Sequence, residues 1–180
     1  MSGHVTPVVL RQAEAVDAEA IAALHADSWQ RTYRGMMPDE FLDKGALADR
    51  QRVWHERLSV TDASRLVVAA AGDDDVLIGF ICAFAREDPV WGAFIDNLHV
   101  VHRMHRRGVG RRLLAAVGQW LVDRGADEGV YLWVMEANAP ARRFYERLGA
   151  THAGTEIHQD PGGGSAPNCR YVWPSPVMLL

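Results

Sequence analysis

Leu98-His99-Val100-Val101-His102-Arg103-Met104-His105-Arg106-Arg107-Gly108-Val109-Gly110-Arg111-Arg112-Leu113-Leu114 is the stretch on which the fold turns. It runs from an apolar strand through a basic turn with two glycines into a helix. Val109, Leu113, Val117 and Leu121 recur on one stripe of that helix, and Gly125 supplies its C-terminal stop. A helix start has backbone N–H groups without intrahelical partners and a partial positive charge. Glycine carries no Cβ, so a ligand can approach such a backbone closely. The pattern therefore points to a site for a diphosphate. From Asn97 to Val122 there is no Asp or Glu, yet there are five arginines, in a chain whose net charge is −4. An acidic chain with one concentrated basic segment suggests a local anion site, although a solvated basic surface would show the same charges. Two other phosphate-binding patterns do not fit. A Walker motif ends in Gly-Lys-Ser/Thr, and the only lysine is Lys44. A dinucleotide fingerprint needs a third glycine where Leu113 stands.

Reading outward, Val8 to Ala13 is expected to be a first strand, and Asp17 the N-cap of a helix reaching about Ser28. Trp29 to Met37 is aromatic and basic, Pro38 and Asp39 open a helical segment, and Arg50 to Leu58 reads as a third short helix. Arg65 to Ala71 and Val76 to Ala85 are apolar strands around Gly72-Asp73-Asp74-Asp75, a hairpin signal. Glu87 to Trp91 reads as a loop and Ala93 to Val101 as a strand. The helix over Gly108 to Arg124 follows, then a strand over Val130 to Val134 and a helix over Ala139 to Leu148. Thr151 to His158 and Cys169 to Met178 read as a last pair of strands, joined by a mobile Gly- and Pro-rich loop, Asp160 to Pro167. The expectation is one mixed α/β (α+β) domain spanning residues 1–180, with a hairpin-rich first half and βα units in the second.

A second motif lies downstream: Asn138-Ala139-Pro140-Ala141-Arg142-Arg143-Phe144-Tyr145-Glu146-Arg147-Leu148-Gly149-Ala150. With this motif, with His105-Arg106-Arg107-Gly108-Val109-Gly110, and with an opening of Leu10-Arg11-Gln12-Ala13 followed by Asp17, Ile21 and Leu24, the chain resembles the GNAT family of N-acetyltransferases. That family's signature is Arg/Gln-x-x-Gly-x-Gly/Ala between a central strand and a helix. The first position is His105 here, and a histidine donates to phosphate without a permanent charge. The resemblance implies a single-domain GNAT-like fold, whose central, mostly antiparallel sheet splays at the cofactor strand and is flanked by helices.

The resemblance also implies roles. Leu98 and Val100 would bond the pantetheine arm of acetyl-CoA through their backbone. His105, Arg106, Arg107, Gly108, Val109, Gly110 and Arg111 would surround the diphosphate, largely through backbone N–H groups. Asn138 would meet the pantetheine region, and Tyr145 would protonate the departing thiolate. Trp29 and Tyr33, with Met36 and Met37, would line the acceptor site. Residue chemistry agrees with these roles: a phenol titrates near 10, close enough to a thiol to share its proton, and a strand N–H near Leu98 to Val100 can support an oxyanion. Asp96, in the otherwise apolar Phe94-Ile95-Asp96-Asn97-Leu98, is the candidate base or cation holder, with a carboxylate serving nearby donors as the competing reading. His99 is expected to alternate onto the other strand face.

These readings predict direct acetyl transfer from acetyl-CoA to a primary amine of a small molecule, since nothing in the sequence marks the open groove that a protein acceptor needs. Acetylation of a protein N-terminus or lysine, and a non-catalytic acyl-CoA sensor, are the alternatives. His99, His102 and His105 are spaced by three but lie on a strand entering a turn, with no nearby carboxylate or cysteine to complete a metal set, so no metal is expected. Net acidity argues against nucleic acid, and no apolar run is long enough for a membrane. Met1 to Val9 does not read as a secretory signal. Cys82 and Cys169 form no CxxC pair, so a cytoplasmic chain without disulfides is expected, and the resemblance adds a homodimer.

Overall fold

The computed structural model describes residues 8–72 and 75–180. Seven strands form one sheet: β1 (Val9–Gln12), β2 (Arg65–Ala71), β3 (Leu77–Asp88), β4 (Gly92–Val100), β5 (Val130–Met135), β6 (Thr151–Asp160) and β7 (Gly164–Trp173). Their spatial order is β1-β2-β3-β4-β5-β7-β6. Every neighbouring pair is antiparallel except β4 and β5, which are parallel. Four α-helices accompany the sheet: α1 (Ala18–Thr32), α2 (Ala46–Ser59), α3 (Val109–Val122) and α4 (Ala139–Arg147).

The central strands are buried on both faces, and alternation separates their side chains into two cores. Leu66, Val68 and Ala70 of β2 join Leu113, Val117 and Leu121 of α3. Val67 and Ala69 turn the other way and pack with Ile21 and Ala22 of α1 and Trp54 of α2. A third cluster joins Trp29, Met37 and Leu42 to Met135 at the end of β5.

Several boundaries differ from the sequence reading. Asp17 does precede α1, but its carboxylate accepts from Arg11 at 2.7 and 2.8 Å and from the Glu14 N–H at 2.8 Å instead of capping the helix. The helix itself continues past Ser28 to Thr32. The expected second and third helices are continuous, because a π-turn over Phe41–Gly45 leads straight into α2. A Cβ on Gly45 would lie 2.8 Å from the Phe41 ring, so this glycine lets the ring fold back on the turn. The expected loop over Glu87 to Trp91 is shorter, since β3 runs to Asp88, whose carboxylate then accepts from Val90 and Trp91 N–H groups at 2.7 and 2.9 Å.

The largest difference is at the C-terminal pair. The expected mobile loop, Asp160 to Pro167, is mostly strand, with Asp160 opposite Gly164 and Ile157 opposite Pro167. Pro167 is tolerated because its missing N–H lies beyond the last β5 pair, Met135 with Asn168, while its carbonyl accepts the Glu136 N–H at 2.8 Å. β7 ends at Trp173, short of Met178, and a 3-10 turn over Pro176–Leu179 follows. Of the expected turn Gly72-Asp73-Asp74-Asp75, Asp73 and Asp74 lie outside the described residues. Among the described residues, no helix is long and apolar enough to cross a membrane.

Candidate active site

β4 and β5 pair over three residues only: Ala93 with Val130, Phe94 with Tyr131 and Ile95 with Leu132. Two glycines hold this end together, for a Cβ on Gly92 would stand 2.1 Å from the Gly129 carbonyl oxygen. Beyond Ile95 the strands part. On its other edge β4 stays paired with β3, Ile81 opposite Leu98, Phe80 opposite His99 and Gly79 opposite Val100. The Val101 N–H donates to the Ile78 carbonyl at 2.9 Å, which fixes the phase of that ladder. Antiparallel bonding alternates, so His99 points its backbone groups at β3, and Leu98 and Val100 point theirs into the split. Leu98 and the N–H of Val100 thus present unpaired backbone on the open side, while the Val100 carbonyl is taken by His105.

The turn after β4 brings α3 to the same split. Arg106 (φ 60°) and Gly108 (φ 79°) both take left-handed backbone conformations, and nothing lies within 4 Å of where a Cβ on Gly108 would be. The first intrahelical bond of α3 is Arg112 N–H to the Gly108 carbonyl at 3.1 Å. The N–H groups of Val109, Gly110 and Arg111 precede it, and no side chain caps them. Gly110 also allows close packing, since a Cβ there would lie 3.2 Å from the Phe144 ring. Arg106, Arg107 and Arg111 are exposed. His105 turns back toward the strand, and its Nε2 donates to the Val100 carbonyl at 2.8 Å. This donor and the diphosphate loop are therefore adjacent, but the imidazole is already engaged by the edge of β4.

At the far side of the split, Asn138 caps α4 by accepting the Ala141 N–H at 3.2 Å. Tyr145 is 8% exposed, with its ring edge-on to Phe144 at 5.2 Å and to Trp173 at 6.0 Å. Burial, with a smaller push from Tyr33, raises its phenol well above the usual range, so the hydroxyl keeps its proton. Burial likewise raises Tyr33, which sits beside the Asn138 side chain at the end of α1. The end of α1 and the start of α4 thereby bring Tyr33, Asn138 and Tyr145 together. Trp29 is buried, with the Arg50 guanidinium 4.3 Å above its ring.

Asp96 occupies a β-bulge. Cys82 pairs with Asn97 and Ala83 with Ile95, leaving Asp96 as the extra residue. The bulge turns Asp96 and Asn97 to one face, where Arg57 of α2 donates to Asp96 Oδ2 at 2.5 Å and to Asn97 Oδ1 at 3.0 Å. It also resets the alternation of everything that follows. His99, expected on the opposite face from Asp96, lies on the same one: Ser28 Oγ is 2.8 Å from its Nδ1, and the rings of Phe80 and His25 are 5.4 and 4.3 Å away. His25 is fully buried, and its Nδ1 accepts from Trp54 Nε1 at 3.0 Å.

The sequence reading gives no site role to Ser28, His25, Arg50, Trp54 or Arg57, although His25 and Ser28 fall with Ile21 and Leu24 on one face of the first helix. One signal was present: Arg50, Trp54 and Arg57 are spaced i, i+4, i+7, one face of a helix. Among the described residues, no group of three or more His, Cys, Asp or Glu is gathered to hold a metal ion.

Comparisons with known proteins show which family carries this fold. The model of the acetyltransferase (GNAT) family matches residues 20–150. The uncharacterized N-acetyltransferase YuaI of Bacillus subtilis (strain 168) is 28% identical over 145 residues, covering 77% of this chain and 78% of that protein. An aminoglycoside N(6')-acetyltransferase type 1 of Salmonella typhimurium is 29% identical over 119 residues, 63% of this chain and 77% of that one. Among solved structures, PaiA N-acetyltransferase of Thermoplasma acidophilum, in complex with coenzyme A, superposes with a TM-score of 0.71 at 18% identity, covering 92% of this chain and 98% of that chain.

Proposed function

Because the chain belongs to the acetyltransferase (GNAT) family, we propose that it transfers the acetyl group of acetyl-CoA directly to a primary amine of a small molecule. The observation that carries this reading is the parting of β4 from β5 beside an uncapped α3 N-terminus. An extended amide chain fits the open-edge backbone of Leu98 and the N–H of Val100, and a diphosphate fits the N–H groups of Val109 to Arg111. The exposed Arg106, Arg107 and Arg111 add attraction. For His105, contact with a phosphate requires the ring to leave the Val100 carbonyl, so its contribution is smaller than that of the backbone.

Tyr145 is the proposed acid. A neutral buried phenol holds a proton for the sulfur throughout the working pH range and leaves no charge in the cleft while it waits. Asn138 fixes the start of the helix that carries it. Tyr33 and Trp29 form the acceptor side, with Asp96 and Arg57 at its strand. The relatedness to an aminoglycoside N-acetyltransferase supports a small, amine-bearing acceptor.

The test is thiol release from acetyl-CoA in the presence of kanamycin, spermidine and an unrelated lysine-containing peptide. Release matched one for one by acetylated kanamycin or spermidine is the expected result. Acetylation of the peptide alone would replace the small-molecule acceptor with a protein one, and acetyl-CoA binding without transfer to any amine would reduce the chain to a sensor.

A further inference from the structure

Resting on that reading, we infer that the acceptor amine enters the site as its free base, donating an N–H to His99 Nε2, and that no carboxylate of the enzyme removes its proton. The observations lie on the α1–α2 face of β4. An ammonium ion needs an ionised, unengaged carboxylate; on this face Asp96 and Asp49 are both engaged by arginine, and Asp160, whose charge reaches Tyr33, is pushed toward its neutral form by burial. Asp96 Oδ2 accepts from Arg57 at 2.5 Å, and Asp49 accepts from Arg50. Cys82, which faces the same space from β3, is kept as a neutral thiol by burial, at about 12. His25, from α1, is fully buried, accepts from Trp54, and has no partner for its Nε2. Burial, His99, Arg50 and Arg57 all hold it neutral.

His99 differs from these groups in one respect. Its Nδ1 is oriented by Ser28 at 2.8 Å, while its Nε2 makes no hydrogen bond among the described residues. The only sealed, unpartnered side-chain nitrogens among those residues are His25 Nε2 and Arg170 Nε, so His99 Nε2 is open to the cleft. The Ser28 hydroxyl can donate or accept here, and in the tautomer that gives Nδ1–H to Ser28 the Nε2 offers a lone pair. Burial, and then the Arg50 cation, hold this imidazole neutral down to about 3. The same burial and Arg50 cation disfavour an ammonium ion beside the ring, while Nε2 in that tautomer accepts the N–H of a neutral amine.

The proton balance closes without an enzyme base. The nitrogen lone pair forms the C–N bond, the C–S bond breaks, and Tyr145 gives its proton to the sulfur. The proton shed by nitrogen then restores the phenol, so one amide and one thiol leave.

The measurement is kcat/KM against pH for two probes, alanine amide and Nα-acetyl-lysine amide. Their conjugate acids lie near about 7.8 and about 10.4, the ordinary values for α- and ε-amines. The rising limb should follow the amine, moving about 2.5 pH units between the two probes. His99→Leu should raise KM for either amine about tenfold with kcat little changed, and His99→Gln, whose carbonyl also accepts an N–H, should restore most of the loss. A limb at one pH for both amines, abolished by Asp96→Asn, would overturn the inference and leave the acetyltransferase reading standing. If coenzyme A binds and neither probe nor any other amine is acetylated, the reading itself has failed, and this inference with it.

Discussion

The two sides of the β4–β5 split are built on different principles. The side toward α3 is made of backbone: open-edge groups of Leu98 and the Val100 N–H, uncapped N–H groups of Val109 to Arg111, and glycines that keep the approach clear. All of it lies within one short run of sequence. The side toward α1 and α2 is made of side chains from four elements: His25 and Ser28, Arg50 and Arg57, Cys82, and Asp96 and His99. A site for a constant ligand can be encoded locally, as main chain in a fixed turn. A site for a variable one is assembled across the fold, where single substitutions can change it without disturbing the turn.

The contrast predicts which changes each side tolerates. The largest effect should come where the two sides are tied together. Gly92→Ala sets a methyl 2.1 Å from the Gly129 oxygen at a φ of 81°, and should lower stability by about 3 kcal/mol or more in urea melts. Next is Tyr145→Phe. It should cut kcat about 100-fold while coenzyme A affinity, read by calorimetry, stays within about threefold. Because the acid must carry its proton and its folded pKa is raised, wild-type kcat should show no alkaline fall up to about pH 10. A fall near neutrality would remove Tyr145 from that role.

On the backbone side, Gly110→Leu should weaken coenzyme A at least about tenfold by crowding both Phe144 and the diphosphate path, whereas Arg106→Ala should cost only about threefold. The reverse order would mean that side chains, not main chain, hold the cofactor. The smallest effect lies away from the cleft. The Arg11 pair holds the Asp17 carboxyl below its ordinary range. Its contribution, about 1 kcal/mol, is fully present above the unfolded value of about 3.9 and is lost as pH falls through the lowered folded value. Asp17→Asn should therefore reduce stability at pH 7 but not at pH 2.

Legibility in the sequence follows the same divide. The strand, turn and helix around Gly108 and Gly110 could be read because glycine positions and helical spacing are local. The α4 motif was legible for the same reason. His99 was placed on the wrong face because one extra residue in β4, Asp96, resets the period, and a bulge leaves no mark in composition. The segment Asp160 to Pro167 reads as a loop from its glycines and proline, but hairpin pairing of Gly164 to Pro167 with Ile157 to Asp160 overrides that signal. The Arg57–Asp96 pair spans 39 residues and two elements, a contact that periodicity within either element cannot show.

The most direct test of the central claim is titration calorimetry of the intact protein with coenzyme A, alongside its Gly110→Leu variant. The account predicts micromolar binding to the wild type and clear weakening in the variant. No binding by the wild type at millimolar coenzyme A would contradict it, since the split, the free backbone and the uncapped helix would then hold no cofactor.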